Sequence, residues 1–592
     1  MSTTASPSPD ASRGHRAWHT WVAVLFWMAA MAPLVPWGLP TSRYDPTLFG
    51  GAPPWPAKRY DAGRALQARR TRLGGADTDL NPITTAGELI DLTADDARRG
   101  EILLRYRLYS RQPDEMITFQ ALARMDPRSG DLDPRLYQYG GGFIYLVGAA
   151  VGLCHVLGLT QLSADPGVYL THPALFARFY LAARIVTLLF GALLLVAAAR
   201  LARRAAGRAA GWAAFVLVAA SPVFITGVLE AKPHLPSVCL VLWATLAALA
   251  WHAHRRPRDL LRLGAAAGYA LGLVLTGLAA ALLWPVLALA HGPRRRVWRS
   301  LALAALLALA VYAVTNPFVV YNALCNRAAL AGNLGNSTAM YRVGDLPAGA
   351  WRVVTLLVEA CGPVVVIVGL LALVRSWRRW RRETLLVIAP GAAMVLLCVA
   401  IGAGKPAEFG RFLLLPAVLL AVGSAIAIAD ISCRHPGRGV IATLLVLLTM
   451  RTPAYVRNFA IDARFEHESR HRAAAFLETN VPASAAIGVV QVPAPYATPP
   501  LNFARRTVLL LPQDPPPPQA RAQLPPWLVL TADDAACWRG AWWARRYELA
   551  MQFSADPWLL SRIAWANKPV YVFRLAGAKP TDESGQASGP DR

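Results

Sequence analysis

The sequence predicts an all-α polytopic membrane protein with a small C-terminal α/β domain on the extracytoplasmic side. Three observations carry that prediction. First, 55% of the 592 residues are hydrophobic and 16% charged, with apolar runs such as LVLWATLAALA (240–250) and LLVIAPGAAMVLLCVAIGAG (385–404). About 20 apolar residues at 1.5 Å rise cross a hydrocarbon core of roughly 30 Å, and unbroken runs satisfy their backbone as helices rather than as alternating barrel strands. Second, the net charge of +25 gathers in short connectors: RLARRAAGR (200–208), RRPRDLLR (255–262), PRRRVWR (293–299) and RSWRRWRR (375–382). This positive-inside pattern puts these loops in the cytoplasm and accounts for the charge without a nucleic-acid partner. Third, the polar tail combines a helical stretch (464–479) with the strand-like runs IGVVQV, TVLLLP, WLVLT and PVYVFRL, the signature of a small mixed domain.

The elements follow in order. Residues 1–16 form a cytoplasmic tail. The run WVAVLFWMAAMAPLVPWGL (21–39) follows Arg13 and Arg16 and lacks a convincing cleavage site, so it is expected as a retained span, not a signal peptide. It opens a transmembrane domain, 17–455, that includes a first outer loop at 40–174. Within that loop lies GGGFIYLVGAAVGLCHVLGL (140–159). Counted as a span, it would leave the arginines of 200–208 outside, so it is assigned to the outer interface as a juxtamembrane or re-entrant helix. Spans are then expected at 175–199, 209–229 and 236–252, followed by two short ones within 263–290 broken near Thr276 and Gly277. Five more follow at 300–316, 352–374, 384–403, 411–430 and 439–455, giving about eleven and placing 456–592 outside. PQDPPPPQ (512–519) is a linker inside this last domain, and the seven cysteines show no CxxC spacing.

This topology gathers unusual polar groups on the outer face. SRQPDEMITF (110–119) supplies Asp114 and Glu115; VLEAKPHLPS (228–237) supplies Glu230, Lys232 and His234; GAGKPAEFGRFLLLP (402–416) supplies Lys405 and Arg411. Outer loops are poor in positive charge, and ionisable groups at a membrane boundary are functional candidates. Each also has a plainer reading. The carboxylates can cap the helix beginning near Met116, and Lys405 and Arg411 can be snorkelling anchors. Together, a carboxylate pair with cations suits sugar transfer from a polyprenyl phosphate. The departing phosphate needs charge neutralisation, which Lys and Arg supply, with Arg able to bind its oxygens bidentately. The acceptor hydroxyl or amine needs a base, which a carboxylate supplies. Asp114 is the candidate base, Glu115, Glu230 and His234 the candidate orienting or acceptor-binding groups, and Lys232, Lys405 and Arg411 the candidate phosphate contacts.

The chain resembles the GT-C superfamily of membrane glycosyltransferases, in the branch of protein O-mannosyltransferases and the lipid A aminoarabinose transferase. The resemblance lies in Pro113-Asp114-Glu115 with the following ALARMDPRSGDLDPRLYQYGGGFIYLVGA. It extends through ARIVTLLFGALLLVAAARLARRAAG, AGWAAFVLVAASPVFITGVLEAKPH, GRFLLLPAVLLAVGSAIA and RHRAAAFLETNVPASAAIGVV. It implies a GT-C fold, a polyprenyl-phosphate-linked sugar as donor, and transfer at the outer face of a bacterial inner membrane to a glycan, lipid or protein acceptor. It also implies Asp114 as base. The chain departs from the pattern in the roughly 75 residues between the first span and the acidic pair, in Glu230 where an aspartate is common, and in LTGLA where a middle-span lysine is common.

No cofactor is called for, and no motif supports a divalent metal. HESRH (467–471) satisfies the zinc-protease pattern HExxH. Its charged neighbours Arg470 and Arg472 and the lack of an obvious third ligand favour a solvated helix face. A secondary transporter is the other alternative, but the inverted repeats and midplane polar groups it requires are not legible.

Overall fold

The computed structural model describes residues 11–73, 89–292, 294–341, 343–401, 409–465, 467–511, 524–532, 534–535, 540–541, 543–554 and 563–577. Among these described residues, five helices are long and apolar enough to cross a membrane, fewer than the eleven spans expected: Pro173–Ala219, His234–His254, Arg295–Thr315, Arg381–Ile401 and Gly410–Arg434. The number is seven if each of two bent pairs counts as one span. One pair, Leu346–Cys361 with Pro363–Arg379, turns by 106° where a single span was expected at 352–374. The bend lies at Gly362, followed by Pro363. Three shorter apolar helices, Trp18–Leu34, Gly141–Val156 and Leu275–His291, complete the set.

The 47-residue helix Pro173–Ala219 is two helices joined across the expected basic connector. Ala206 leaves the helical region and Gly207 takes φ +80°, a conformation only glycine adopts without strain. The break expected near Thr276 and Gly277 is real. Pro257–Leu273 ends at Leu273, a 3₁₀ turn covers Leu275–Leu282, and Leu283–His291 follows. The helix Gly141–Val156 has 16 residues, about 24 Å at 1.5 Å per residue and short of a full crossing.

Small residues set the closest packing. A Cβ on Gly264 would stand 2.5 Å from the Ala304 carbonyl oxygen, and one on Gly268 only 2.3 Å from that of Ala308. The GxxxG spacing lets the two helix backbones touch, the usual route to helix association where lipid removes the hydrophobic driving force. The helix Leu414–Arg434 is buried along most of its length at the centre of the bundle. Arg295–Thr315 instead exposes Leu303, Leu306 and Leu309.

The sheet is six-stranded, in the order β1-β3-β2-β4-β6-β5. The strands are β1 Ile90–Asp91, β2 Ile487–Val489, β3 Val508–Leu510, β4 Trp527–Thr531, β5 Tyr547–Phe553 and β6 Val570–Leu575. β2 pairs parallel with β3 and β4, and the remaining pairs are antiparallel. Four strands coincide with the expected runs. β5 and β1 were not expected, and β1 comes from the first loop. That loop shares one apolar core with the C-terminal residues: Tyr44, Tyr60, Tyr106 and Phe119 pack in the same cluster as Val489, Tyr496, Phe503 and Val508.

A buried ion network fastens the two. Arg111 donates to Asp462 at 2.5 Å and lies 3.4 Å from Glu468; Arg470 donates to Glu468 at 2.6 Å. All four side chains are at most 3% exposed. Glu468 also caps the helix Ser469–Asn480 by accepting from the His471 amide at 3.0 Å. HESRH is therefore not the solvated face expected: its glutamate and arginine are fully buried in this network.

Burial opposes ionisation of Glu468, but Arg111 and Arg470 outweigh it and hold the carboxyl below its ordinary 4.5. A depressed carboxyl stabilises the fold fully above 4.5, and that contribution is lost as pH falls through the lowered value. The thermal stability of the detergent-solubilised protein should accordingly fall as pH drops below 4.5, and less so in Glu468→Gln. Arg111→Ala leaves the two buried carboxylates of Asp462 and Glu468 to share Arg470 alone and should cost about 3–5 kcal/mol, read as a fall in the unfolding midpoint.

Candidate active site

The site begins with the acidic pair. The helix Glu115–Ala123 starts one residue after Asp114, yet the Asp114 side chain makes no capping hydrogen bond. Its carboxylate turns away to meet Lys232 Nζ at 2.9 Å and the guanidinium of Arg411. The cap reading is thereby answered: the carboxylate serves cations, not the helix terminus. Gln112 shapes the turn, its side-chain oxygen accepting from the Asp114 amide at 2.6 Å.

Lys232 and Glu230 come from the connector between Pro222–Val228 and His234–His254. Lys232 Nζ lies 3.4 Å from a Glu230 oxygen, which also accepts from Gln112 Nε2 at 3.3 Å. Arg411 sits in the 3₁₀ turn Phe409–Leu413 ahead of the central helix and donates to the Tyr341 hydroxyl at 3.1 Å. The cluster is nearly sealed: side-chain exposure is 6% for Asp114, 8% for Lys232, 7% for Glu230 and 12% for Arg411.

Burial shapes the charge states. It works to raise the Asp114 carboxyl, but Lys232 and Arg411 overcome it and hold the group well below the ordinary carboxylate range. For Glu230 burial wins, helped by the nearby charges of Glu115 and Asp114 and opposed by Lys232, so its carboxyl is raised. Burial pulls Lys232 down, but Asp114 and Glu230 outweigh it and the amine is raised.

A cavity of ≈ 30 Å³ opens beside these groups, lined by Thr226, Glu230, Lys232, His234, Arg411 and Trp565 among others. Such a space admits a water-sized group. Buried polar atoms on its lining residues, among them Thr226 Oγ1, Glu230 Oε1 and His234 Nδ1, have no hydrogen-bond partner among the described residues. Orphans of this kind are rare in folded proteins and call for an explanation. The imidazole is held edge-on by Tyr139 and Phe412.

Glu115 behaves differently from its neighbour. It is fully buried and its oxygens are saturated, by Arg184 Nε at 2.8 Å, Arg184 Nη2 at 2.7 Å, Ser110 Oγ at 2.6 Å and the Ala231 amide at 2.7 Å. The structure thus brings Asp114, Glu230, Lys232, His234 and Arg411 together and turns Glu115 into a clamp behind them. Lys405 lies outside the described residues. Gln112, Tyr341 and Arg184 were not singled out from sequence. Arg184 carried a signal, a lone arginine inside the apolar run of 179–199; Tyr341 carried none.

Residues 172–321 match the family described as dolichyl-phosphate-mannose-protein mannosyltransferase. That stretch contains Arg184, Glu230, Lys232 and His234. That match spans 150 of the 592 residues, in a largely helical structure with several long apolar helices and a small sheet. Among solved structures, ArnT from Cupriavidus metallidurans in the apo state is similar with a TM-score of 0.44 at 12% identity, over 86% of this chain and 97% of that one. The same protein bound to undecaprenyl phosphate gives 0.42 at 12% identity, over 86% and 98%. The archaeal oligosaccharyltransferase AglB from Archaeoglobus fulgidus, in complex with an inhibitory peptide and a dolichol-phosphate, gives 0.40 at 14% identity, over 75% and 64%. No curated protein matches the chain.

The clamp makes a prediction independent of chemistry. Arg184→Ala strands a buried carboxylate and should destabilise the protein by about 3–5 kcal/mol, whereas removing both charges in Arg184→Met with Glu115→Gln should cost less. Unfolding midpoints of the two variants in one detergent check the order.

Proposed function

We propose that this chain moves a sugar from a polyprenyl-phosphate carrier to an acceptor on the extracytoplasmic face of a bacterial inner membrane, with inversion at the anomeric carbon. The C-terminal domain, 456–592, lies on that same face. The observation that carries the reading is the shared Asp114 carboxylate: one buried acid held by two cations from separate segments, beside a cavity with unmet polar atoms. The matched family's description supports a lipid-phosphate sugar as donor.

In this mechanism the donor phosphate enters beside Lys232 and Arg411 and takes a share of their charge. The same act weakens their hold on Asp114, so its proton affinity rises toward that of a working base. Asp114 then accepts the proton of the acceptor nucleophile as that atom attacks the anomeric carbon and the phosphate leaves. The phosphate leaves as an anion stabilised by the cations, without a general acid. Glu230 and His234 orient the acceptor through the atoms that have no internal partner. Glu115 orients the site from behind by fixing the backbone at Ala231.

Transfer by purified protein in lipid, with polyprenyl-phosphate sugars and candidate acceptors, is the direct test. Asp114→Asn should lower kcat by roughly 10²–10⁴-fold, and full activity in that variant would remove the base assignment. Lys232→Met or Arg411→Met should weaken donor binding along with turnover.

The pH profile gives a second check. Because Asp114 is lowered and Glu230 raised, falling pH protonates Glu230 first and removes one of the charges facing Lys232. The acid limb of kcat/KM should therefore follow Glu230 and move to lower pH in Glu230→Gln. An unmoved limb in an active Glu230→Gln enzyme would show that another group sets it.

A further inference from the structure

A second cavity lies far from the acidic pair. Its volume is ≈ 660 Å³, and it runs between the helices Pro173–Ala219, Pro363–Arg379, Arg381–Ile401 and Leu414–Arg434. Two of these helices locate it. Arg184 clamps Glu115 beside the site, and Arg204 on the same helix lines this cavity twenty residues on. Leu414 borders the active-site cavity, and Arg434 at the far end of its helix lines this one. Twenty residues of helix are about 30 Å, one hydrocarbon thickness. The cavity thus opens at the opposite end of the bundle, among the basic connectors.

Its lining has two parts. The walls are apolar, with Leu371 and Ile431 exposed on the outside of the bundle. The rim carries the guanidinium groups of Arg204, Arg375, Arg379 and Arg434 against the carboxylates of Glu383 and Asp430. Both carboxylates are engaged, Glu383 with His252 at 3.4 Å and Asp430 with Arg375 at 4.0 Å. Arg379 and Arg434 form no ion pair among the described residues. The rim is left with a net positive charge directly above an apolar slot.

We propose that this cavity is a binding site for an anionic phospholipid of the leaflet opposite the acidic pair, its acyl chain in the apolar slot and its phosphate on the arginine rim. Basic pockets between helices at headgroup level select anionic headgroups, each arginine contributing to the attraction, and guanidinium matches phosphate geometry. Its opening on the outside of the bundle suits a lipid entering sideways better than a free anion arriving from water. A polyprenyl phosphate shares the same chemistry, so the experiment separates the two. The proposal is independent of the transfer chemistry.

The test is native mass spectrometry of the full-length protein exchanged into neutral detergent with defined lipid. The wild type should retain one phosphatidylglycerol in preference to phosphatidylcholine, and Arg375→Ala with Arg434→Ala should lower that retention by about tenfold or more. The double variant should keep the wild-type unfolding midpoint, because both side chains are exposed. Leu371→Trp, which fills the slot without touching charge, should also lower retention. Equal retention of both lipids, or retention unchanged in both variants, overturns the proposal. So does displacement of the lipid by inorganic phosphate or by an equimolar polyprenyl phosphate.

Discussion

Everything around the acidic pair hangs on the ion pair of Glu115 with Arg184. Two charges removed from water survive only when nearly every donor and acceptor is engaged, and here they are. The Glu115 oxygens take four hydrogen bonds, and Arg184 Nη1 donates to the carbonyls of Val35 at 2.7 Å and Trp37 at 2.6 Å. The Trp37 ring lies under the guanidinium, 4.8 Å away, and its indole donates to the Leu229 carbonyl at 2.8 Å. One pair therefore ties together the end of the first apolar helix, the loop bearing Asp114, the long helix and the connector bearing Lys232.

Against that closed pair, the neighbouring carboxylate is open. Asp114 is one residue away from Glu115 and almost as buried, yet it meets side chains rather than backbone, and those side chains come from segments 118 and 297 positions along the chain. Saturated networks rigidify; partly satisfied ones hold groups at high energy until something else supplies the missing contacts. The unmet Glu230 and His234 atoms lie on the open side of the cluster and not around Glu115. The two adjacent acids thus divide the work between holding the site and facing what enters it.

Much of this was legible because lipid imposes simple rules. Apolar length located the long helices, though five to seven rather than the expected eleven are long enough to cross a membrane among the described residues, and charge patterning singled out Asp114, Glu230, Lys232, His234 and Arg411, which the structure brings together. What escaped was whatever depends on shape. The 106° turn at Gly362 is invisible to a hydropathy count, because both limbs are apolar. The two-residue strand Ile90–Asp91 is too short to carry a period. The division between Asp114 and Glu115 could not be read from identical chemistry in adjacent positions, since it follows from which side the Arg184 guanidinium occupies. HESRH misled in the other direction: its charged neighbours suggested solvent, but Arg470 turns inward to pair with Glu468 while Arg472 stays exposed.

The long insertion before the acidic pair then has a physical account. Its strand adds an edge to the C-terminal sheet, its Tyr106 hydroxyl donates to the Thr498 and Pro499 carbonyls at 2.8 and 3.0 Å, and Arg111 closes the ion network with Asp462 and Glu468. Arg111 stands three residues before Asp114, and Arg184 grips the residue immediately after it. The loop carrying Asp114 is fixed from the bundle on one side and from the C-terminal residues on the other. A carboxylate on a free loop would swing to water and lose its cations. Held at both ends, it stays in a buried position where two cations from distant segments can reach it, and the insertion is the part of the chain that makes the second hold.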